Sequence, residues 1–325
     1  MESDAGQADL EVGSAGGAER RKLLIIVNPV AGQDDGRDVE ARLRSAANAA
    51  GLDYDLKVTR GEGDAMRWAQ EACRGDRVIV SGGDGTVMEV ITGLVKSKSG
   101  AGLAQIPTGT ANLLARALSI PTEFDEALEF AFGDGVVVAT DVGYLPGFDR
   151  YFALVAGAGW DAELIKDASR ELKDRLGFFA YVLTGIRNLF GLRNSNIRLT
   201  VDDEVHQFRA HTVMVINVGE IHDVGIAIGP DVNPHDGRLD LAIMAPRSAW
   251  GIVKLVVRLL TKRFGNDDDL SYFSATHFKI EADPPLKLEV DGEYVGSTPF
   301  EVEVIPKGVH LLVPQRYAED KGLLP

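Results

Sequence analysis

Between residues 21 and 142, short apolar runs alternate with segments whose apolar residues recur at helical spacing. The runs KLLIIVNP, YDLKVT, RVIV and LAQIP predict buried strands, and the segments between and after them predict helices. Repeated strand–helix units of this length indicate α/β structure with a parallel, doubly wound sheet and right-handed crossovers. In such sheets, ligands bind beyond the carboxyl ends of the strands.

From residue 143 to 314, short apolar runs are separated by Gly, Pro, Asn and Asp, which predicts a second, mostly antiparallel domain. Two helical stretches, at about 162–192 and 248–264, interrupt this pattern. Residues 1–20 are acidic, small and polar and predict a disordered leader. Residues 315–325 form a C-terminal tail, which we expect to pack back on the first domain.

Composition narrows the class of protein. A chain of 325 residues, 45% hydrophobic and 26% charged, is typical of a soluble protein with two domains. The single cysteine, Cys73, excludes an internal disulfide framework and fits the reducing cytoplasm, and its apolar neighbours predict that it is buried. There is neither a secretory signal pattern nor an apolar run of about 18 residues. The net charge of −15 argues against nucleic acid as a partner.

The stretch SGGDGTVMEV lies where a predicted strand passes into a predicted helix. Glycines at such a junction leave backbone N–H groups and the positive end of a helix dipole open to phosphate. An ordinary tight turn is the alternative for GGDGT taken alone. Two further turns, VNPVAG and PTGTANLLAR, fall at the same sheet edge. The three loops together offer backbone amides, the hydroxyl groups of Thr86 and Thr110 and the carboxylate of Asp84, which favours a nucleotide site with Mg²⁺. No GxxxxGK[ST] loop occurs, which excludes the P-loop class.

In this order and spacing, the three loops resemble the catalytic domain shared by diacylglycerol kinases, sphingosine kinases and soluble bacterial lipid kinases. The later blocks VAGAGWDAELI, INVGEIHDVGIAIGPDVNPHDGRLDLAIM and LEVDGEYV are similar to that family as well, so the match covers about residues 22–314. GGDGT alone is shared with NAD kinases. The resemblance implies a Rossmann-like nucleotide-binding domain, a β-sandwich-like second domain, and an active site in the cleft between them.

The resemblance also implies the residues of the ATP site, which come from several loops: Asn28, Thr59, Gly82, Gly83, Asp84, Gly85, Thr86 and Thr110. For Thr59, a threonine that caps the next helix is an equal alternative. The sequence departs from the family at Met88, where Asn is frequent, and at Leu113, where Asp is frequent. Without a carboxylate at position 113, the sequence does not settle which residues bind metal at the ATP site. Glu89 is a further carboxylate nearby in sequence.

In LEVDGEYVG, Asp291 and Glu293 flank Gly292. The residues alone favour a plain hairpin turn, because Asp-Gly is a leading hairpin signal. The resemblance instead implies that this segment supplies the group that takes the proton from the lipid hydroxyl. It implies Glu293 as the catalytic base and Asp291 as its partner or a metal contact, together with the catalytic Asp84.

The segment NPHDGRLD resembles a second, structural Mg²⁺ site of the bacterial branch. The resemblance implies that the Asp236 side chain and the carbonyl oxygens of Asn233 and Arg238 bind the ion. An Asp-Gly turn without metal is the alternative.

The segment SAWGIVKLVVRLLTKRFG carries Lys254, Arg258, Lys262 and Arg263 without an acidic residue, and residues 177–194 add aromatic and basic side chains. A basic amphipathic helix suits an anionic membrane surface, and a core helix with a solvated face is the alternative. The sequence therefore predicts an ATP-dependent lipid kinase acting on a diacylglycerol-like or sphingoid lipid, cytoplasmic and peripherally associated with the membrane. A homodimer is compatible with it. The alternatives are an NAD kinase-like phosphotransferase and a catalytically silent, lipid-binding regulatory protein.

Overall fold

The computed structural model describes residues 22–31, 36–133, 135–159, 194–221, 226–227, 229–230, 232–246 and 269–324, with residues 248, 250–251, 254, 257–258, 261 and 266 between them. The predicted leader and the predicted helix at 162–192 lie outside the described residues.

The first part of the chain forms a parallel sheet with helices on both faces, as the alternating pattern predicts. Its strands are β1 Leu23–Val27, β2 Tyr54–Val58, β3 Arg77–Gly82 and β4 Gly102–Pro107, in the order β2–β1–β3–β4. Its helices are α1 Gly36–Ala49, α2 Asp64–Ala69, α3 Asp84–Ser97, α4 Leu113–Ala117 and α5 Phe124–Phe132. Apolar clusters cover both faces of the sheet, so β1, β3 and β4 consist almost entirely of buried residues, whereas the edge strand β2 is half-buried.

The later strands are antiparallel and build the predicted second domain. In chain order they are β5 Val136–Leu145, β6 Arg150–Phe152, β7 Val155–Ala158, β8 Ser195–Val201, β9 Glu204–Ala210, β10 Thr212–Ile216, β11 Glu220–Ile221, β12 Ile226–Ala227, β13 Leu239–Met244, β14 Leu270–Ala275, β15 His277–Asp283, β16 Lys287–Val290, β17 Glu293–Ser297 and β18 Phe300–Val313. A six-stranded sheet, β14–β13–β10–β7–β16–β17, shares an apolar core with β15 and β8. The mixed α/β class with a second antiparallel, sandwich-like domain is confirmed.

The long strand β18 joins the two parts. Its first residues pair antiparallel with β15, and its last residues pair with β5 and with the parallel strand β4. Strands β2, β1, β3, β4, β18, β15, β8 and β9 therefore follow one another in a single ten-stranded sheet, to which β5 and β6 also belong. The expected boundary at residue 142 falls inside β5, and the two parts are connected by backbone hydrogen bonds as well as by the chain.

The final helix, α6 Gln315–Asp320, lies against the core of the parallel sheet. Tyr317 is buried there, and its hydroxyl group lies 3.1 Å from Nε2 of His235. Burial lowers the pKa of His235, so the neutral ring donates from Nδ1 to the carbonyl oxygen of Ala139 at 2.9 Å and accepts from Tyr317.

Two local predictions are wrong. Helix α2 ends at Ala69, so Cys73 lies beyond it in a turn and is exposed rather than buried. The sequence pattern predicts that Gly109 and Thr110 begin the helix after β4, but α4 begins only at Leu113, after Asn112 in the left-handed conformation with φ of 49°. Within the stretch 248–264, the described residues 250, 251, 254, 257, 258 and 261 are helical. Across the described parts of the chain, no helix is long and apolar enough to cross a membrane.

Candidate active site

The turn after β3 is tight because α3 begins immediately. Gly82 ends the strand, Gly83 precedes the helix and Asp84 is its first residue. A Cβ atom on Gly82 would lie 2.7 Å from the Thr86 Cβ, so only glycine fits there. Within the described residues no side chain caps the first turn of α3, which leaves the helix dipole available to an anion.

The turn after β1 is tied to this loop. The Asn28 side-chain amide donates to the Thr86 hydroxyl at 2.8 Å, and the Asn28 backbone N–H donates to the Ser81 carbonyl, also at 2.8 Å. Thr59, just after β2, donates its N–H to the Val27 carbonyl at 2.8 Å. Asn28 and Thr59 therefore follow neighbouring strands, and Asn28 is bonded to Thr86 in the first turn of α3.

The turn after β4 makes backbone-to-backbone contact with the same loop. A Cβ atom on Gly109 would lie 2.5 Å from the Gly83 Cα and 2.9 Å from the Asn112 Oδ1. Asn112 holds the turn, since its side chain accepts from the Gly109 N–H and donates to the Gly109 carbonyl, both at 2.9 Å. The Leu114 N–H then donates to Asp84 Oδ1 at 3.3 Å. Asn112, which the sequence analysis did not single out, therefore shapes the turn that meets the Asp84 loop.

The other residues that the sequence analysis named near these loops differ in how far they are exposed and in what they contact. Thr110 and Gly85 are exposed beside the loops. Met88 packs against the apolar core next to α3. Glu89 accepts the Ala65 N–H at 3.2 Å and so stabilises the start of α2.

The Asp-Gly sequence at 291–292 forms the tight hairpin turn between β16 and β17. Asp291 and Gly292 have φ of 47° and 88°, as expected for the two central residues of a tight hairpin. The carboxylate of Asp291 turns back across the fold, where Oδ2 accepts the Ala153 N–H at 2.9 Å and Oδ1 accepts those of Leu154 and Val155 at 3.1 and 2.8 Å. The hairpin is thus anchored to the segment between β6 and β7.

The Asp291 carboxyl group has a raised pKa, to which the charge of Asp84 contributes. Although Asp291 as a residue is partly exposed, enclosure of its carboxyl group raises its pKa to about 6, against the opposing effect of the three backbone hydrogen bonds. The negative charge of Asp84 raises this pKa further, and burial raises the pKa of Asp84 itself. The two carboxyl groups come from different parts of the chain, Asp84 from the start of α3 and Asp291 from the hairpin between β16 and β17.

Glu293 has a different environment. Its side chain is 63% exposed and forms an ion pair with Arg150 of β6. It lies two residues from Asp291, but strand β17 directs it to a more solvated position. The predicted assignment of Glu293 as base stays a prediction.

The turn of NPHDGRLD is closed by its own residues. Asp236 Oδ1 accepts the Arg238 N–H at 2.9 Å, and Asn233 Oδ1 accepts the His235 N–H at 3.2 Å. Among the residues described, no cluster of three or more His, Cys, Asp or Glu side chains could hold a metal ion. The second Mg²⁺ site therefore stays a prediction.

A buried carboxylate that the sequence did not single out lies beside this turn. Asp141 is fully buried, and its two oxygens accept the N–H groups of Lys307 and Gly237, both at 2.7 Å. Burial raises its pKa, and the nearby charge of Asp236 raises it further. An acidic residue in the middle of the apolar strand VVVATDVGYL was the available signal.

Comparison with known proteins agrees with this architecture. The family model described as "Diacylglycerol kinase catalytic domain" matches residues 22–145, and "YegS C-terminal NAD kinase beta sandwich-like domain" matches residues 154–313. A diacylglycerol kinase from Bacillus subtilis (strain 168) is 31% identical over 92% of this chain and 98% of its own. A probable lipid kinase YegS-like from Pseudomonas syringae pv. syringae is 30% identical over 91% and 94%. A crystal structure of a diacylglycerol kinase from Bacillus anthracis str. Sterne has a TM-score of 0.72 at 26% identity, covering 91% and 98%.

The contact between Gly83 and Gly109 predicts that Gly109→Ala separates two loops of the site. The new methyl group would meet backbone atoms that cannot rotate away, so ATP affinity should fall about tenfold, with a loss of unfolding free energy of about 1–3 kcal/mol. Calorimetric titration with ATP and thermal unfolding measure the two effects.

The matched control is Gly147→Ala, whose Cβ would meet no atom of the described chain within 4 Å. Unchanged ATP affinity in Gly109→Ala would show that the two loops do not bind the nucleotide together.

Proposed function

Because the chain belongs to the diacylglycerol kinase catalytic-domain family of lipid kinases, we propose that it transfers the γ-phosphate of ATP to the hydroxyl group of a diacylglycerol-like lipid. The observation that carries this proposal is the direct contact among the three loops at the strand ends, in which Asn28 is bonded to Thr86, Gly83 meets Gly109, and the Leu114 N–H is bonded to Asp84. The name of the Bacillus subtilis relative supports diacylglycerol over a sphingoid base as the acceptor.

The nucleotide phosphates would lie at the start of α3. This helix has 14 residues and begins directly after two glycines, so the phosphate oxygens can approach its first N–H groups closely. Asn28 and Thr86 hold the neighbouring loop in place, and exposed Thr110 can donate its hydroxyl group.

The residues of the site fit a divalent cation. Mg²⁺ prefers carboxylate oxygens, and Asp84 presents one whose charge is disfavoured by burial and would be offset by the ion. When bound, Mg²⁺ neutralises charge on the phosphate oxygens. Asp236, with the carbonyl oxygens of Asn233 and Arg238, is the proposed second position. The buried negative charge of Asp141 beside it supports this position.

We assign proton removal from the lipid hydroxyl to the Asp-Gly-Glu hairpin. A general base works best when its pKa is near the working pH, and the Asp291 carboxyl has a pKa of about 6. Glu293 would have to leave its ion pair with Arg150 to serve the same purpose. The geometry therefore favours Asp291 as the proton acceptor and Glu293 as its partner, the reverse of the roles that the sequence resemblance implies.

Incubation of the purified protein with labelled ATP, Mg²⁺, a lipid panel and NAD tests the function. We expect label in diacylglycerol. Label in a sphingoid base would change the acceptor, and label only in NAD would replace the proposal with the NAD kinase alternative. ATP and lipid binding without any labelled product would support the catalytically silent alternative.

Asp84→Asn is expected to reduce turnover by about 10²–10³-fold, because it removes the charge that holds the cation near the phosphates. The fold should persist, since the asparagine oxygen can still accept the Leu114 N–H. Initial rates at saturating Mg²⁺ and thermal unfolding give the two quantities.

Asp320→Asn, which removes an exposed carboxylate far along the chain on α6, is the control for the change in charge. Activity of Asp84→Asn close to that of the wild type would show that Asp84 does not contact the metal.

The stretch 248–264 supports peripheral contact with a membrane. Trp250 is 75% exposed and Val257 is 50% exposed, so apolar side chains of this helical stretch face outwards. Lys254 is paired with Asp269 at 3.8 Å, and Lys262 lies outside the described residues. Each basic residue near an anionic surface contributes about 1 kcal/mol to binding.

Replacement of Lys254, Arg258 and Lys262 together by Gln should reduce activity on anionic vesicles more than activity on a water-soluble short-chain acceptor. Vesicle activity should also fall with salt, because the Debye length shrinks from about 10 Å at 0.1 M to about 3 Å at 1 M. The control removes three basic residues from strands β8, β9 and β15: Arg198, Arg209 and Lys279. An equal loss on both acceptors would assign the stretch to the fold or the cleft instead.

A further inference from the structure

Asn217 lies directly after β10 and is 1% exposed. Its side-chain Nδ2 donates to two carbonyl oxygens, those of Asp141 and Ala153, both at 2.8 Å. Its backbone N–H donates to the Leu154 carbonyl at 2.9 Å. One buried residue thus holds two consecutive carbonyl groups of the segment between β6 and β7.

The same segment holds Asp291 from its other side. Ala153 and Leu154 each give their N–H to the Asp291 carboxylate and their carbonyl oxygen to Asn217. The peptide units between Asn217 and Asp291 are therefore fixed at both ends. A shift of Asn217 would move the N–H groups that set the position of the carboxylate.

The two polar atoms of the Asn217 side chain differ in their hydrogen bonding. Its Nδ2 makes two bonds, whereas its Oδ1 is buried without a hydrogen-bond partner among the described residues. An unsatisfied buried acceptor costs about 1–3 kcal/mol. The contribution of this amide to the segment therefore comes from its donor group, and a substitution that keeps the shape but removes the donor isolates that contribution.

We propose that Asn217 is a positioning residue for phosphate transfer, acting through the 153–155 peptide units on the carboxylate of Asp291. Asn217 itself touches neither nucleotide loop nor hairpin in the contacts described here. The effect on catalysis rests on the proposed function, whereas the effect on the 153–155 segment does not.

Asn217→Asp is the first test, because it preserves volume and replaces the donor by an oxygen that faces two carbonyl oxygens. Asn217→Ser, which keeps a smaller donor, is the second. The matched control is Asn196→Asp, the same chemical change at an exposed position of β8. Thermal unfolding shows which variants remain folded.

Amide hydrogen exchange gives a readout that is independent of activity. In Asn217→Asp, exchange of the 153–155 amides should rise about tenfold or more while exchange of the α3 amides stays unchanged. Asp291→Asn should increase exchange at the same three amides, because it weakens the acceptor on the other side. The control Asn196→Asp should change neither.

Steady-state kinetics tests the role in the reaction. We expect kcat of Asn217→Asp to fall about tenfold or more, with KM for ATP within about twofold, since small misplacements of a reacting group are costly. In the Asp291→Asn background, Asn217→Asp should cause no further loss, because both changes act on one carboxylate.

Unchanged exchange at 153–155, or an equal loss of kcat with Asp291 present and absent, would overturn the proposal. Unfolding of both Asn217 variants would do so too, since it would assign the residue to the fold. If no lipid or nucleotide is phosphorylated by the wild type, the proposed function fails, and the exchange experiment still decides whether Asn217 positions Asp291.

Discussion

The capture of the Asp291 carboxylate by backbone N–H groups 136 to 138 residues earlier in the chain is the interaction on which the site depends. It fixes a two-residue hairpin turn, which would otherwise be an exposed loop, against the interior of the fold. It encloses the Asp291 carboxyl group, and this burial raises its pKa to about 6, with a further contribution from the charge of Asp84.

The continuous sheet explains how two parts of the chain can form one site. Strand β18 pairs with β15 of the antiparallel part and with β4 of the parallel part, so relative movement of the two would break backbone hydrogen bonds. The contact of Gly83 with Gly109 joins the turns after β3 and β4, and Asn217 connects the 153–155 segment to Asp141 of β5. The positions of the two carboxylates are therefore set by backbone geometry rather than by flexible side chains.

Local pattern predicted the elements well and their ends less well. The strand–glycine–helix junction at Gly82 to Thr86 follows from apolar periodicity and the freedom of glycine, and the structure confirms it. The start of α4 does not follow, because Asn112 adopts a left-handed conformation that its side-chain bonds to Gly109 stabilise. The prediction that Cys73 is buried was wrong because α2 ends at Ala69, whereas the apolar spacing of the sequence continues beyond that residue.

Contacts between distant residues were beyond any local pattern. Asp-Gly at 291–292 signals a hairpin in the sequence, but only the fold shows which N–H groups the Asp291 carboxylate meets. Asn217 is a single polar residue at the end of an apolar strand, and its neighbours Asp141 and Ala153 are 76 and 64 residues away. The family resemblance predicted which distant segments contribute residues to the candidate site, whereas periodicity predicts only local helices and strands.

The most direct test of this account is an NMR titration of the Asp291 carboxyl group in metal-free protein, with and without Asp84→Asn. If the two carboxylates share one cleft, removal of the Asp84 charge should lower the pKa of Asp291 from about 6 towards its ordinary value, while burial keeps it raised in part. An unchanged pKa would show that the two groups do not interact, and would contradict a site built jointly by the two parts of the chain.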